Sequence, residues 1–449
     1  MPLLQPVYQA DAAHTNFGKY TLYSCYGASS NGNTFPVCVG IVFGNEDKDG
    51  WTRFWKFATR IHPCINRPVT TIITDQQKGS VPALAEVVPL AVNFFCSYHR
   101  RENIKKFVRG GNGAYSCMWM YNLLLNAKTP AGIDKLRFEH AREMQDNAHR
   151  YLSSVLDSQQ FPAARCAMGD DICMHQRTAS SAVESMNRAN ERVRDRTAVD
   201  PINSLILLIK LEATRFEKHR EKAWTCADEL TPHGKKLAMV DAFQKVNVRD
   251  YNIEITTQGD TYCCVVNRLT SSNKYTTLIP GNDTNGSFFG TCNCGVPRVD
   301  GLPCQHMIAV CKSGRIEGLD ESNVMPYWWH TSHWRKQYPQ GVSVGSNFSI
   351  DTMRQHGEQD QKYKLCPTIS GPNKAGRPKL DKRHKSSMEL AMEKTKGRGK
   401  EAKKQASSTV AEIGKGKKRK ADTETHPPKT KQVATDGTKR VSERQRKKM

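Results

Sequence analysis

Apolar and polar positions fall into short blocks along the first hundred residues. PVYQADAAH is an apolar run ending at Asp11, and KYTLYSCYGA and TFPVCVGIVFG follow as two further strands. Gly27 to Asn33 supplies the Gly/Ser/Asn turn between those two. The three segments predict an antiparallel meander with Asp11 near the end of its first strand. In WTRFWKFATRI (51–61) the period changes, and Trp51, Phe54, Trp55 and Ala58 recur at helical spacing. PVTTIITD then rises to Asp75 as a buried strand that stops on a carboxylate. KGSVPALAEVVPLA reads as a short helix and VNFFCSYH as another strand.

Strands, helix, strand, helix, strand is the order of an α/β, ribonuclease H-like domain. In such a domain the first and fourth strands are neighbours, so Asp11 and Asp75 are expected side by side at the sheet edge. Adjacent carboxylates repel unless cations lie between them. Two divalent metals roughly 3.5–4 Å apart need that arrangement to activate a nucleophile and stabilise a leaving oxygen on a phosphodiester. A third carboxylate is expected from TASSAVESMNRANERVRD. There Val183, Met186, Asn190 and Val193 mark an inner helix face and Glu184 sits on its flank. Asn187 and Arg188, three and four residues on, can reach that carboxylate or a phosphate.

Most of the chain between 103 and 175 reads as helix (YNLLLNA, AGIDKLRFEHAREMQDNAHRYLSSVL), which predicts an all-helical insertion in a domain spanning 1–228. The helix after Pro201 carries Ile202, Leu205, Leu208, Ile209 and Leu211, and either packs beside the sheet or forms a homodimer seam. His99-Arg100-Arg101 with Lys105 and Lys106 reads as a solvated or phosphate-contacting face.

Residues 250–290 alternate as short strands, the start of a β-rich unit spanning 240–320. It leads into TCNCGVPRVDGLPCQHMIAVCK (291–312), where Cys292-x-Cys294 is followed nine residues later by Cys304-x-His306. Three thiolates and one imidazole make a closed tetrahedral zinc set. Cys292 and Cys294, two apart on a strand, would face the same side. Pro297, Asp300, Gly301 and Pro303 would turn the chain back, and Cys304 and His306 would open a short apolar helix. Cys263 and Cys264, being adjacent, face opposite sides, and Cys311 is expected to be packed rather than coordinating. The aromatic and basic stretch YWWHTSHWRKQY, in a linker spanning 321–370, is expected to pack against this unit.

Charge adds a further segment. The 449 residues carry a net +23, but from Gly371 to Met449 25 Lys+Arg stand against 9 Asp+Glu, leaving only +7 on the first 370 residues. The tail 371–449 has almost no large apolar residues and is expected to be disordered and drawn to polyanions, with DNA the natural partner. Gly376-Arg377-Pro378-Lys379 resembles an AT-hook core, with Arg377 and Lys379 as minor-groove and phosphate contacts. Lys415 with Lys417, Lys418, Arg419 and Lys420 reads as a nuclear-import run. No signal peptide is expected before the first strand, and Leu205–Ile209, the longest strongly apolar run, is too short to span a bilayer. Fifteen cysteines are then expected as thiols and metal ligands in a nuclear protein.

The finger resembles the SWIM zinc finger, whose pattern is CxCx(n)CxH, and that resemblance implies bound zinc and contacts to DNA or protein. ADAAHTNFGKYTLYS, GNEDKDGWTRFW, IITDQQKGS, FFCSYHRRENIKK and SSAVESMN resemble pieces of the catalytic domain of Mutator-like element (MULE) transposases, in the family's order. The resemblance covers roughly residues 5 to 315. It implies a DDE triad at Asp11, Asp75 and Glu184, holding two Mg²⁺ or Mn²⁺ ions for DNA cleavage and strand transfer. The family also places a CxxH pair after the second Asp, here Cys96 and His99. With Cys173 and His175 this pair is a candidate second zinc site, or else a half-buried Cys and a His that packs or holds phosphate. Family members carry an amino-terminal DNA-binding domain, and here the first strand starts about five residues from Met1. The expectation is therefore a truncated frame, a fragment or a domesticated copy, and in the last case a non-catalytic nuclear DNA- or protein-binding regulator.

Overall fold

The computed structural model describes residues 4–341, apart from 17–18, 77–78, 108–110, 141–145, 170–171, 195–200, 240–244, 282–288 and 323. The tail, with Arg377, Lys379, Lys417, Lys418, Arg419 and Lys420, lies outside the described residues. So does most of the linker.

The first sheet uses strands β1 (Val7–His14), β2 (Tyr20–Ala28), β3 (Thr34–Phe43), β4 (Thr71–Thr74) and β5 (Val92–Phe95), in the order β3-β2-β1-β4-β5. β1 runs antiparallel to β2 and parallel to β4, and β4 parallel to β5. The parallel pairs are linked through helices α1 (Lys48–Ile61) and α2 (Ser80–Val87), as parallel strands require a crossover. Asp47 caps α1, its carboxylate accepting from the Gly50 amide at 2.8 Å. Such a cap contributes about 1 kcal/mol. Trp51, Phe54, Trp55 and Ala58 face inward as their spacing predicts, packing on Tyr8, Tyr23 and Ile72 of the sheet and on Ala83 and Leu84 of α2.

The other sheet face is covered by Leu205, Leu207, Leu208 and Leu211 of a long helix, Pro201–Thr225, which meet Leu22, Val39 and Ile41. Both faces of β2 are therefore covered and all nine of its residues are buried, the polar Thr21 and Ser24 included. Of the two roles open to the long helix, packing beside the sheet is the one seen.

Two differences from the sequence reading have simple causes. VNFFCSYH leaves the sheet at Phe95. The Cys96 amide still reaches Thr74 O at 2.8 Å, but Ser97–Phe107 is already helical (α3). The Glu184 segment is two helices, α8 (Ser181–Ala189) and α9 (Glu191–Arg194), interrupted at Asn190. There the Asn190 side chain donates to Tyr26 Oη (3.4 Å) and Glu212 Oε1 (3.3 Å).

Between α3 and α8 the described elements are helical: α4 (Gly111–Asn126), α5 (Pro130–Glu139), α6 (Asp146–Leu152), a single turn at Asp157–Gln159, and α7 (Pro162–Cys166). Arg165 ties the last of these to the start of β4. Its fully buried guanidinium donates to Thr71 Oγ1 (2.9 Å) and to the carbonyls of Pro68 (2.9 Å) and Thr70 (3.0 Å).

The second sheet orders β6 (Tyr251–Gln258), β7 (Thr261–Arg268), β8 (Lys274–Pro280) and the two-residue β9 (Thr291–Cys292) as β6-β7-β8-β9. The helix Gln305–Lys312 packs Met307, Ile308 and Val310 on Ile253, Val266 and Ile279, with Trp329 closing the cluster. Cys264 is buried in it, Cys263 is only partly covered, and Cys311 is packed. The aromatic stretch spans two cores. Trp329 belongs to the second sheet, whereas Trp334 and Tyr338 pack on Phe216, Ala223 and Phe35.

Candidate active site and metal centre

The parallel register between β1 and β4 pairs Gln9 with Ile73. Two residues further along come Asp11, midway along β1 rather than near its end, and Asp75, just past the carboxyl end of β4, so the register sets them on adjacent strands. Glu184 reaches this edge because α8 is tied to β1. Gln9 Oε1 accepts the Ala182 amide at 3.0 Å at the helix start, and Asn187 donates to Asp11 Oδ2 at 3.0 Å one turn later. Ser24, opposite Asp11 on β2, donates to Asn187 Oδ1 at 3.3 Å. Each carboxylate has its own local restraint. Asp75 Oδ1 accepts the Gln76 amide at 2.6 Å, and Glu184 Oε1 accepts from Ser180 Oγ at 2.9 Å.

His99, in the first turn of α3, joins the group. Its Nδ1 lies 3.8 Å from Asp75 Oδ1 and 3.8 Å from Glu184 Oε1. The hydrogen bond with Cys96 and the two carboxylates raise its pKa to about 9 against the opposing effect of burial. Burial, with repulsion from Glu184, pushes the Asp11 carboxyl up to about 6, although the Ala12 amide and Asn187 hold it down. The Asp11 shift thus reflects burial first, and the His99 imidazolium stands beside the other two carboxylates, where a cation is favoured. Oxygen donors of this kind suit a hard divalent ion, but among the described residues the three carboxylates do not bring one ligand atom each within 4.8 Å of one another.

Cys96 is buried at the end of β5, and its Sγ accepts the Ser180 amide at 3.3 Å. Burial would raise this thiol, but hydrogen bonds from His99 and Ser180 more than offset that, and its pKa is lowered. The expected grouping of this pair with Cys173 and His175 does not occur. Those two pack against Gly301 of the finger, where a Cβ would lie 2.7 Å from His175 Nδ1 and 3.0 Å from Cys173 Sγ. Burial holds His175 neutral, down to about 3.

Nor is Arg100 part of a solvated face. It is fully buried, donating to Gln160 Oε1 at 2.7 Å and lying 4.5 Å over the Tyr151 ring. Lys105 is exposed and pairs with Glu102.

In the finger, the ligand atoms of Cys292, Cys294, Cys304 and His306 all lie within 4.8 Å of one another. His306 presents Nδ1, 3.6 Å from Cys292 Sγ and 3.7 Å from Cys304 Sγ, while Tyr275 stacks on its ring at 4.0 Å. Crowded thiols share protons: hydrogen bonds with Cys294 and Cys304 hold Cys292 well below the usual thiol range, while those with Cys292 and Cys294 push Cys304 well above it. The donor set, closed and largely buried, fits zinc. Only Cys292 lies on a strand. Cys294 sits in the turn after it, and Val296–Asp300 is a short helix rather than a simple turn.

The finger is docked, not free. Lys128 Nζ pairs with Asp300 Oδ1 at 2.8 Å, Cys173 Sγ meets Val299 O at 3.7 Å, and Trp328 stands edge-on to His175. Sequence reasoning missed Ser180, Gln9 and the partner of Asn187. Ser180, four residues before Glu184, had a local signal as a helix-start residue. Gln9 had none, because its partner is 173 positions away.

Comparison with known families agrees with this division. Residues 7–103 match the MULE transposase domain and residues 275–314 match the SWIM zinc finger. The chain therefore carries both modules. Among curated proteins no match is found.

Proposed function

We propose that this transposase-like chain is a DDE-type DNA strand-cleaving and strand-transferring protein. In this reading residues 1–228 form a ribonuclease H-like catalytic domain with a helical insertion at about 103–175, and 240–320 hold the zinc finger. What supports it is His99 Nδ1 lying 3.8 Å from both Asp75 and Glu184, with Asn187 of the Glu184 helix bonded to Asp11.

Asp11, Asp75 and Glu184 would hold two Mg²⁺ or Mn²⁺ ions, which supply charge to activate a hydroxyl nucleophile and to offset the leaving oxygen of a phosphodiester. Asn187, the Gln76 amide and Ser180 each hold one carboxylate by a hydrogen bond, with the partly exposed Glu184 side chain able to adjust when an ion binds. Water and then a 3′-hydroxyl would be the successive in-line nucleophiles. Zinc held by Cys292, Cys294, Cys304 and His306 would stabilise the finger. The finger and the basic segment 371–449 beyond the aromatic linker would hold DNA in the nucleus.

The test is nicking of supercoiled plasmid by the purified full-length chain with Mg²⁺ or Mn²⁺. Metal-dependent nicking that Asp75→Asn abolishes is expected. Nicking unchanged by that substitution, or none at all from folded, zinc-loaded protein, would leave a non-catalytic DNA- or protein-binding regulator.

A further inference from the structure

Beside the three carboxylates lies a donor group of different chemistry. One atom each from Cys96, His99 and Glu184 lie within 4.8 Å of one another. A magnesium site uses only the carboxylate of these, because Mg²⁺ takes oxygen ligands whereas thiolate with imidazole selects zinc-like cations. His99 Nδ1 is enclosed, and it faces both Asp75 and Glu184 at 3.8 Å. The backbone fixes Cys96 through the hydrogen bond its amide donates to Thr74 O at 2.8 Å, and the Ser180 amide donates to its Sγ. The other two side chains are about one-third exposed and can adjust. Zinc bonds of about 2.3 Å to sulfur and about 2.0–2.2 Å to nitrogen and oxygen require each ligand to close in by only about 1 Å.

We propose that Cys96, His99 and Glu184 form an open three-ligand site for zinc or a similarly thiophilic divalent cation, which competes with magnesium by taking Glu184. The fourth position falls to water or to Asp75. The finger differs in kind, because its four ligands close around the ion while this site leaves a position open. The finger therefore keeps its zinc, and the Cys96 site exchanges with free metal. The inhibitory consequence rests on the catalytic reading of Glu184; the binding itself does not.

Full-length protein with a zinc-loaded finger should take up a second, weaker equivalent of Zn²⁺. Co²⁺ at that site should give a sulfur-to-metal charge-transfer band. Cys96→Ser should remove the band while the finger equivalent stays, and His99→Gln and Glu184→Gln should each weaken the second equivalent by more than about tenfold. Circular dichroism on each variant separates lost ligands from lost fold, and Glu184→Gln removes no ligand-holding backbone contact. One equivalent in the wild type, or a second one indifferent to all three folded variants, overturns the site. Zinc should also slow magnesium-dependent nicking. A chain that nicks nothing yet binds the second equivalent retains the cation site and loses the transposase reading.

Discussion

Asn187 donates a hydrogen bond to Asp11 across 3.0 Å, linking the helix that carries Glu184 to the strand that carries the first carboxylate. Its other side-chain atom accepts from Ser24, so a single buried amide holds α8 against two strands. Asn187→Ala should cost about 1–2 kcal/mol of stability by leaving Ser24 unpaired, measured by urea denaturation. It should also reduce nicking by more than the folded fraction falls. Unchanged stability and activity would mean that α8 is held elsewhere.

Gly301 has φ +64 and faces Cys173 and His175, whereas Gly314 has φ +66 and open space around its Cα. Alanine at either position meets the same backbone penalty, about 1 kcal/mol. Only Gly301→Ala also pushes on the helical insertion. It should therefore be the more destabilising by at least about 1 kcal/mol in urea denaturation. Equal costs would show that the finger is not docked there.

Glu212 is buried and accepts from Tyr26 Oη (3.2 Å), Asn190 Nδ2 (3.3 Å) and Arg215 Nη1 (2.7 Å). Glu212→Leu leaves three donors without their acceptor and should cost about 3 kcal/mol. Glu212→Gln keeps an acceptor and should cost about 1 kcal/mol. Thermal unfolding of both variants checks the order, and the reverse order would contradict it.

Zinc removal should unfold the finger, because its core is organised around the helix that begins beside Cys304 and carries His306. Structural zinc in isolated fingers supplies about 10–16 kcal/mol of apparent binding energy, comparable to the whole net stability of a typical domain, about 5–15 kcal/mol. Hydrogen exchange should show loss of protection at Gln305–Lys312 after chelation, with Ile72 and Ile73 in the first sheet still protected. Retained protection in the finger helix would show a core independent of metal.

The period of apolar residues located the five strands of the first sheet and the Trp51 helix, and ligand spacing alone located the zinc set. Side chains whose partners are distant were harder to place. Arg100 lies in a run of charge that reads as solvent-facing, yet Gln160, 60 residues away, gives it a buried acceptor. Cys96-x-x-His99 and Cys173-x-His175 look like halves of one site because metal-ligand spacing carries no information on direction. The chain sends one pair to the carboxylates and the other to the finger. Cys294 left the strand because β9 is only two residues long, a boundary that period-two alternation over so short a stretch does not fix.

Anomalous diffraction from crystals of the protein grown with Mn²⁺ tests most directly whether three distant carboxylates make one cation site. Two manganese peaks are expected roughly 3.5–4 Å apart, with Asp11, Asp75 and Glu184 all among their ligands. Absence of manganese from that sheet edge, or an ion held there by only one of the three, would contradict it.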